Sequence, residues 1–266
     1  MKAILLVAWA VALCGQSVQF KILSQEVIEQ RLRSYTTRNG TREPAMKTLF
    51  EDAGCKLDAL SEQKVKGTKA PNLICTLKGT TESMIVVGAH FDLVEKGQGV
   101  VDNWSGASLL PSFYQSLAES GRKHTFVLVA FTGEERGLLG SQSFLKQLGE
   151  RTSLVKAMIN LDTLGLGQTQ VWLSHADHNL ANWLAIIAQR LNIPLGAVNV
   201  DQVGTTDSEP FREKKIPAMT VHSITQSTWH ILHSPDDKIE AIYLDDYYQS
   251  YRLLIEYLAA IDHKLD

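Results

Sequence analysis

Side chains able to bind a metal ion or to transfer a proton follow three apolar stretches of this sequence. In chain order, the residues that follow stretches 84–89, 125–131 and 155–161 are His90 and Asp92, then Glu134 and Glu135, then Asp162. Asp102 comes shortly before a helical stretch that begins at Ser105. Ligands of an open α/β sheet bind outside the carboxyl ends of its strands, so we expect these side chains to share one crevice. Acidic groups gathered there would repel one another strongly unless a cation lay among them.

The chemical types of these donors favour zinc. Imidazole and carboxylate ligands without thiolates are typical of this borderline cation in a catalytic site. A second imidazole comes from His233 or from its neighbour His230. Three carboxylates and two histidines exceed what one tetrahedral ion with an open water position needs. They suit two ions about 3.5–4 Å apart that share one carboxylate.

A sheet must position these side chains, and apolar strands alternate with helices along the chain. The predicted strands span residues 55–65, 72–77, 84–89, 125–131, 155–161 and 217–221. The predicted helices span residues 24–33, 43–53, 105–119, 140–148, 179–191 and 244–261, with a break at 38–40 and a kink or break caused by Pro111. Apolar strands that alternate with helices are typical of a largely parallel sheet covered on both faces. We predict an α/β fold with one mixed, largely parallel central sheet.

Length and composition favour one domain with a sizeable core. The chain has 266 residues, of which 44% are hydrophobic and 21% charged. Because repeats and Pro/Gly/Ser-rich linkers are absent from the sequence, residues 18–266 are predicted to form a single domain. The formal net charge is −3, so the sequence does not indicate the basic face that nucleic-acid or anionic-membrane binding requires.

Residues 1–17 have the pattern of a signal peptide. A basic start at Lys2 precedes an apolar run over residues 3–13 and small or polar residues from Cys14 onwards. The run is shorter than the about 20 apolar residues of a membrane span, so we expect no stable membrane insertion. The pattern predicts a secreted or periplasmic protein, with lipid attachment at Cys14 as the alternative. The remaining cysteines, Cys55 and Cys75, either form a disulfide or stay as two thiols.

Five motifs resemble those of a known enzyme family. In chain order they are Gly-Ala-His-Phe-Asp at 88–92, Val-Asp-Asn-Trp-Ser-Gly at 101–106, Thr-Gly-Glu-Glu-Arg-Gly at 132–137, Asn-Leu-Asp at 160–162 and His-Ser-Pro-Asp-Asp at 233–237. Together they resemble the motifs of secreted two-zinc aminopeptidases, bacterial leucyl aminopeptidase-like metallopeptidases that share their fold with glutaminyl cyclases. The resemblance implies an enzyme that acts on peptides with a free N-terminus and removes their first residue.

The resemblance also implies a role for each candidate site residue. The metal ligands would be Asp102 as the bridge, His90 and Asp162 on one zinc ion, and Glu135 and His233 on the other. His233 is preferred to His230 because Ser-Pro-Asp-Asp follows it. Glu134 would be the general base, which takes a proton from the attacking water and returns it to the leaving amine. Asp92 would accept a hydrogen bond from the imidazole of the first histidine and fix its metal-binding tautomer.

Glutaminyl-peptide cyclisation with one zinc ion is the nearest alternative function. In glutaminyl cyclases a tryptophan that stacks on the substrate precedes the last ligand histidine, whereas Leu232 stands there in this chain. A binding protein without activity is a second alternative, although all five ligands and the base are present. Related acylamino-acid hydrolases often carry a separate dimerisation domain, for which this chain has no room. Many relatives carry an Asp-His pair before the last strand, whereas residues 206–211 of this chain have a different sequence. The contacts of this loop with substrate are therefore not predicted.

Overall fold

The computed structural model describes residues 20–199 and 204–265. The predicted signal peptide at residues 1–17 lies outside the described residues. The helices are α1 (Gln25–Leu32), α2 (Asn39–Asp52), α3 (Ser105–Ala107), α4 (Leu109–Leu117), α5 (Leu139–Leu148), α6 (His178–Leu191), α7 (Glu209–Glu213) and α8 (Leu244–Lys264). The strands are β1 (Leu60–Gln63), β2 (Asn72–Leu77), β3 (Met84–His90), β4 (Thr125–Phe131), β5 (Val155–Leu161), β6 (Thr169–Val171), β7 (Leu195–Ala197) and β8 (Ala218–His222).

Within the described residues, the strands form one sheet in the order β1-β2-β4-β3-β5-β8-β6-β7. Its centre, β4-β3-β5-β8, is parallel, while β2 runs antiparallel to β4 and β6 antiparallel to β8. The predicted α/β fold with a mixed, largely parallel sheet is confirmed. Because the four central strands are parallel, their carboxyl ends lie along one edge of the sheet.

Both faces of the sheet are covered, as its apolar strands predict. In β3, Ile85 and Val87 belong to the larger core, which also contains side chains of α1, α2, α4, α6 and α8. Met84 and Val86 belong to a smaller core that contains side chains of α5 and α7. Successive side chains of a strand point to opposite faces, so a strand covered on both faces must be apolar throughout.

The helix predicted at residues 43–53 begins earlier, at Asn39, where the sequence predicts a break. Asn39 and Gly40 form the beginning of its first turn. The side chain of Asn39 also donates to the carbonyl of Leu93 at 2.9 Å and accepts from its N–H at 3.0 Å. This tertiary contact fixes the start of α2.

The strand predicted at residues 55–65 is wrong over most of its length, since β1 covers only Leu60–Gln63. Leu57–Ala59 form a single turn of 3₁₀-helix in which Leu57 is 90% exposed. Cys55 lies before this turn and forms a disulfide with Cys75 on β2, with the two Cα atoms 6.3 Å apart. Of the two alternatives for this cysteine pair, the structure therefore supports the disulfide.

The predicted effect of Pro111 is confirmed. The helix predicted at residues 105–119 is divided at Ser108 into α3 and α4. Proline has no N–H, so the carbonyl of Ala107, four residues earlier, loses its helical partner. Among the residues that the structure describes, no helix combines the length and the apolar character needed to cross a membrane.

Candidate metal centre

Asp102 lies between two histidines at the carboxyl edge of the sheet. Its Oδ1 is 3.2 Å from Nε2 of His90, the last residue of β3. Its Oδ2 is 3.2 Å from Nε2 of His233, in the segment between β8 and α8. The two oxygens of one buried carboxylate therefore face two separate imidazole nitrogens. Such an arrangement suits a carboxylate shared by two cations.

The other two carboxylates predicted as ligands divide between these histidines. Asp162, directly after β5, places its Oδ1 3.9 Å from Nε2 of His90. Glu135, in the turn after β4, places its Oε2 3.0 Å from Nε2 of His233. His230, the alternative histidine, is exposed and has no ion pair with these carboxylates in the described part of the chain. Two imidazoles and three carboxylates without a thiolate form a donor set that fits zinc.

Glu134 lies beside the first of these groups. One of its oxygens is within 4.8 Å of donor atoms of His90 and Asp162. By distance alone, Glu134 can therefore reach a metal ion as well as a water. It sits in a tight turn that begins at Gly133, whose φ is +73°, a conformation that glycine adopts without steric cost.

Asp92 contacts both His90 and Glu134. Its carboxylate Oδ1 is 3.7 Å from Nδ1 of His90, too far for a hydrogen bond. The backbone carbonyl of Asp92 is nearer to this nitrogen, at 3.3 Å. A carbonyl can only accept, so Nδ1 carries the proton and Nε2 is left free to bind a metal. The carboxylate instead accepts from the backbone N–H of Glu134 at 3.2 Å.

The pKa values of the clustered side chains reflect an excess of negative charge. Burial raises the pKa of Asp162 to about 7. Hydrogen bonds to Asp102 and Glu135 raise the pKa of His233 to about 10. Burial alone would lower the pKa of His90, but neighbouring carboxylates raise it well above its ordinary value. A divalent cation would supply the missing positive charge and displace these protons.

Two polar side chains hold the segment that carries Asp102. Asp237 accepts hydrogen bonds from the N–H groups of Val101 at 2.7 Å and of Asp102 at 3.4 Å. Asn103 donates to the carbonyl of Leu161 at 2.8 Å, which ties the segment to the end of β5. Both residues lie in the sequence motifs, although residue type alone assigns them no role.

Arg42 also supports the segments that carry the site, although no residue pattern in the sequence predicts this role. It is buried, and its guanidinium donates to four backbone carbonyls. Nη1 donates to Phe91 at 2.9 Å, Nη2 to Gln98 at 2.9 Å and Gly99 at 2.6 Å, and Nε to Thr36 at 2.9 Å. Arg42 thereby joins the end of β3 to the segment that leads to the central aspartate. Charged side chains are almost never fully buried unless paired, so this burial was not expected from the sequence.

A cavity of about 360 Å³ opens beside the cluster. Its apolar lining consists of Leu138, Trp172, Ile224, Trp229 and Leu232. Thr205, Thr206, Thr220 and His222 add polar groups to its wall. A cavity lined by both candidate metal ligands and apolar side chains is typical of a site that positions an apolar group next to reactive chemistry.

Loop 206–211, whose contacts the sequence leaves open, contributes Thr206 to this cavity. The hydroxyls of Thr206 and Thr220 lie 2.7 Å apart, which fixes the loop against β8. Asp207 is completely buried. Burial raises its pKa to about 7.

The sequence matches Peptidase family M28 over residues 72–258, which is more than half of the chain. The chain belongs to this family. The match confirms the resemblance to zinc aminopeptidases that the five motifs indicate. All five motifs lie within the matched residues and after β2.

Comparisons with individual proteins show similar sequences and the same fold. A curated relative named "Probable leucine aminopeptidase", from Arthroderma benhamiae, is 25% identical over 228 residues, which cover 79% of this chain and 63% of the relative. The LapA aminopeptidase of Legionella pneumophila has a TM-score of 0.80 at 22% identity, covering 91% of this chain and 72% of LapA. A glutaminyl cyclase from an Acidobacteriales bacterium has a TM-score of 0.70 at 17% identity, covering 99% of each chain. The two structures share the fold of this chain, which spans less than two thirds of the length of the curated relative.

Proposed function

We propose that this chain is a zinc-dependent aminopeptidase that hydrolyses the N-terminal peptide bond of peptides. The observation that carries the proposal is the position of Asp102, whose two oxygens each lie 3.2 Å from a different histidine. Membership of a peptidase family supports peptide hydrolysis. The name of the leucine aminopeptidase relative supports cleavage at the N-terminus.

Two zinc ions would be held by the five donor side chains. One ion would take His90, Asp162 and one oxygen of Asp102, and the other would take Glu135, His233 and the second oxygen. Zinc bound in such a site lowers the pKa of a water molecule toward neutrality and polarises the substrate carbonyl. The protein contributes by keeping the shared carboxylate between the two histidines, through the backbone contacts that hold its segment.

Glu134 is the general base in this proposal. Its backbone is held by the carboxylate of Asp92, and its own carboxylate lies beside His90 and Asp162. It takes the proton of the attacking water and then gives a proton to the leaving amine, a role that contributes typically about 10²–10⁴-fold to the rate. If Glu134 were a metal ligand instead of the base, its replacement would release metal.

The apolar cavity would receive the side chain of the first substrate residue. Leu138, Trp172 and Ile224 give it walls that favour an apolar side chain. Leu232 stands where glutaminyl cyclases carry the stacking tryptophan, and it also lines this cavity. This residue therefore supports binding of an apolar side chain rather than a glutaminyl substrate.

We also propose that residues 1–17 direct the chain out of the cytoplasm, leaving residues 18–266 as one peptidase domain. The disulfide between Cys55 and Cys75 supports this proposal, since structural disulfides persist mainly in oxidising compartments. N-terminal sequencing of the protein recovered from culture medium or periplasm would test it. A start near residue 18 agrees with the proposal, and an intact Met1 contradicts it.

The activity is tested with a purified protein and a peptide that begins with leucine. Mass spectrometry should show the peptide shortened by one residue. Treatment with a chelator should abolish the reaction, and addition of zinc should restore it, because the bound metal would activate the attacking water and polarise the substrate carbonyl. A reaction that survives complete removal of metal would contradict the proposal.

A further inference from the structure

A second cleft, with a volume of about 500 Å³, lies against the metal centre. Its walls come from the beginning of α2, the loop between β1 and β2, and the segments that follow β3 and β4. Glu135 lines both this cleft and the apolar cavity. The donor cluster lines the first cavity, and Glu135 connects it to the second cleft.

Two cations line the second cleft, Lys69 and Arg136. Both are exposed, and neither has a hydrogen bond or an ion pair within residues 20–199 and 204–265. Arg136 directly follows Glu135 in the turn after β4. Their charges are thus available to a ligand in the cleft.

The loop that carries Lys69 is held against the same turn. The hydroxyl of Thr68 donates to the carbonyl of Ala70 at 2.7 Å, which closes the loop around Lys69. A Cβ at Gly133 would lie 2.6 Å from Cγ2 of Thr68, so the loop packs directly on the turn that precedes Glu134. This packing holds the loop that carries Lys69 against the turn that carries Glu134 and Glu135.

Three carboxylates line the same cleft, those of Glu43, Asp92 and Glu135. The carboxylate of Asp92 accepts the N–H of Glu134, and Glu135 belongs to the donor cluster, where zinc would offset its charge. Lys69 and Arg136 are both exposed, so a ligand that enters the cleft can contact them.

We propose that this cleft binds the part of the substrate beyond the cleaved bond, and that Lys69 and Arg136 favour a carboxylate there. The inference rests on the proposed aminopeptidase function. With the first side chain in the apolar cavity and the cleaved bond at the metal centre, the rest of the peptide extends to the opposite side of Glu135. The carboxylate is either the C-terminus of a dipeptide or the side chain of an acidic second residue.

Matched substrates distinguish these two sources of the carboxylate. Leu-Ala is compared with Leu-Ala-amide for a terminal carboxylate, and Leu-Asp-amide with Leu-Asn-amide for an acidic second residue. In at least one pair we expect kcat/KM to be about 3–10-fold higher for the charged substrate at low salt, as for exposed ion pairs. The preference should decrease as ionic strength rises, because exposed charges are screened.

Variants of the cleft test which residues produce the preference. The preference is measured as the ratio of kcat/KM for the charged substrate to kcat/KM for its uncharged partner. Lys69→Gln and Arg136→Gln should each lower this ratio about 2–5-fold, and Glu43→Gln should raise it. Lys78→Gln is the matched control. Lys78 is exposed and follows β2, which pairs Leu77 with Phe126 near the start of β4, so it lies at the opposite edge of the sheet. This control should leave the ratio unchanged.

Binding to zinc-loaded Glu134→Gln protein provides a second readout that does not depend on turnover. Isothermal titration calorimetry with the same four compounds should give a lower Kd for the charged member of at least one pair, and Lys69→Gln with Arg136→Gln in this background should remove the difference. Equal affinities and equal kcat/KM within both pairs would overturn the cleft assignment. If no substrate is hydrolysed by the wild-type protein while the Kd difference persists, the proposed function fails and the carboxylate site stands.

Discussion

The carboxylate of Asp92 accepts a hydrogen bond from the backbone N–H of Glu134 at 3.2 Å. The backbone carbonyl of the same aspartate lies 3.3 Å from Nδ1 of His90. One residue thus fixes the tautomer of a candidate metal ligand and the position of the candidate base. The link joins the loop after β3 to the turn after β4, two strands that are neighbours in the sheet.

Replacement of Asp92 should separate these two contacts. Asp92→Ala removes the acceptor for the N–H of Glu134 and should lower kcat about 10–100-fold, the usual cost of losing an outer contact of a metal site. Asp92→Asn keeps an acceptor oxygen and should retain most of the activity. Asp58→Ala, at an exposed aspartate far along the chain from the site motifs, serves as the control. Wild-type kcat in the alanine variant would contradict the role given to this carboxylate.

Glu134 and Asp102 should differ in their effect on metal. Glu134→Gln removes a base and should lower turnover about 10²–10⁴-fold while metal content stays nearly unchanged. Asp102→Ala removes the carboxylate between the two histidines and should lose both metal and activity. Elemental analysis of protein purified without chelator should find close to two zinc ions per wild-type chain. Loss of zinc in Glu134→Gln would make Glu134 a ligand instead of the base.

The order of residues along the chain was sufficient to predict that His90 and Asp162 meet, whereas His233 was preferred to His230 only through the resemblance. His90 and Asp162 follow parallel strands that pair with each other, so the fold itself brings them to the same edge. The supporting residues could not be predicted in this way. Arg42 and Asp237 act through backbone carbonyl and N–H groups, which every segment of chain offers, so nothing in the sequence shows which ones are contacted.

The shortest strands and the start of α2 could not be predicted from the sequence pattern either. β6 and β7 have three residues each, too few for an alternation of apolar and polar side chains to be visible. The start of α2 depends on the contact between Asn39 and Leu93, which are distant in sequence. Long apolar strands such as β3 were predictable because burial on both faces restricts every position to apolar residues.

Arg42 should be important for stability. Arg42→Ala leaves four carbonyls without their donor, two of them in buried hydrogen bonds, and should lower the free energy of unfolding by about 3 kcal/mol or more, since each unsatisfied buried group costs about 1–3 kcal/mol. Arg42→Lys should recover only part of this, because one ammonium cannot replace the planar guanidinium. Urea unfolding measures the effect, with the exposed Arg33→Ala as control. Equal stability of Arg42→Ala and wild type would contradict the supporting role.

His222 should make the fold less stable as pH falls. Its Nε2–H donates to the carbonyl of Val198 at 3.1 Å, and its Nδ1 accepts the N–H of Ile224 at 3.0 Å, contacts that a neutral ring satisfies. Burial lowers the pKa of His222 to about 4. Between about pH 6.5 and 4 the unfolded chain binds a proton here that the folded chain does not, so the free energy of unfolding decreases as pH falls, by about 3 kcal/mol at most.

The contribution of His222 is isolated by comparing variants with excess zinc present. Urea unfolding at pH 7 and pH 5 should show a smaller loss of stability for His222→Gln than for wild type. The exposed His263→Gln should behave as wild type does. The same loss in all three proteins would show that His222 does not remain neutral in the folded state.

The central claim is that this site hydrolyses an N-terminal peptide bond. The most direct test incubates the zinc-loaded protein with two peptides, one beginning with leucine and one with glutamine, and determines the masses of the products. Attack by water on the first carbonyl shortens the leucine peptide by one residue, and this is the result we predict. A cyclase would use the substrate's own amine as the nucleophile. An intact leucine peptide together with loss of ammonia from the glutamine peptide would contradict the proposed function.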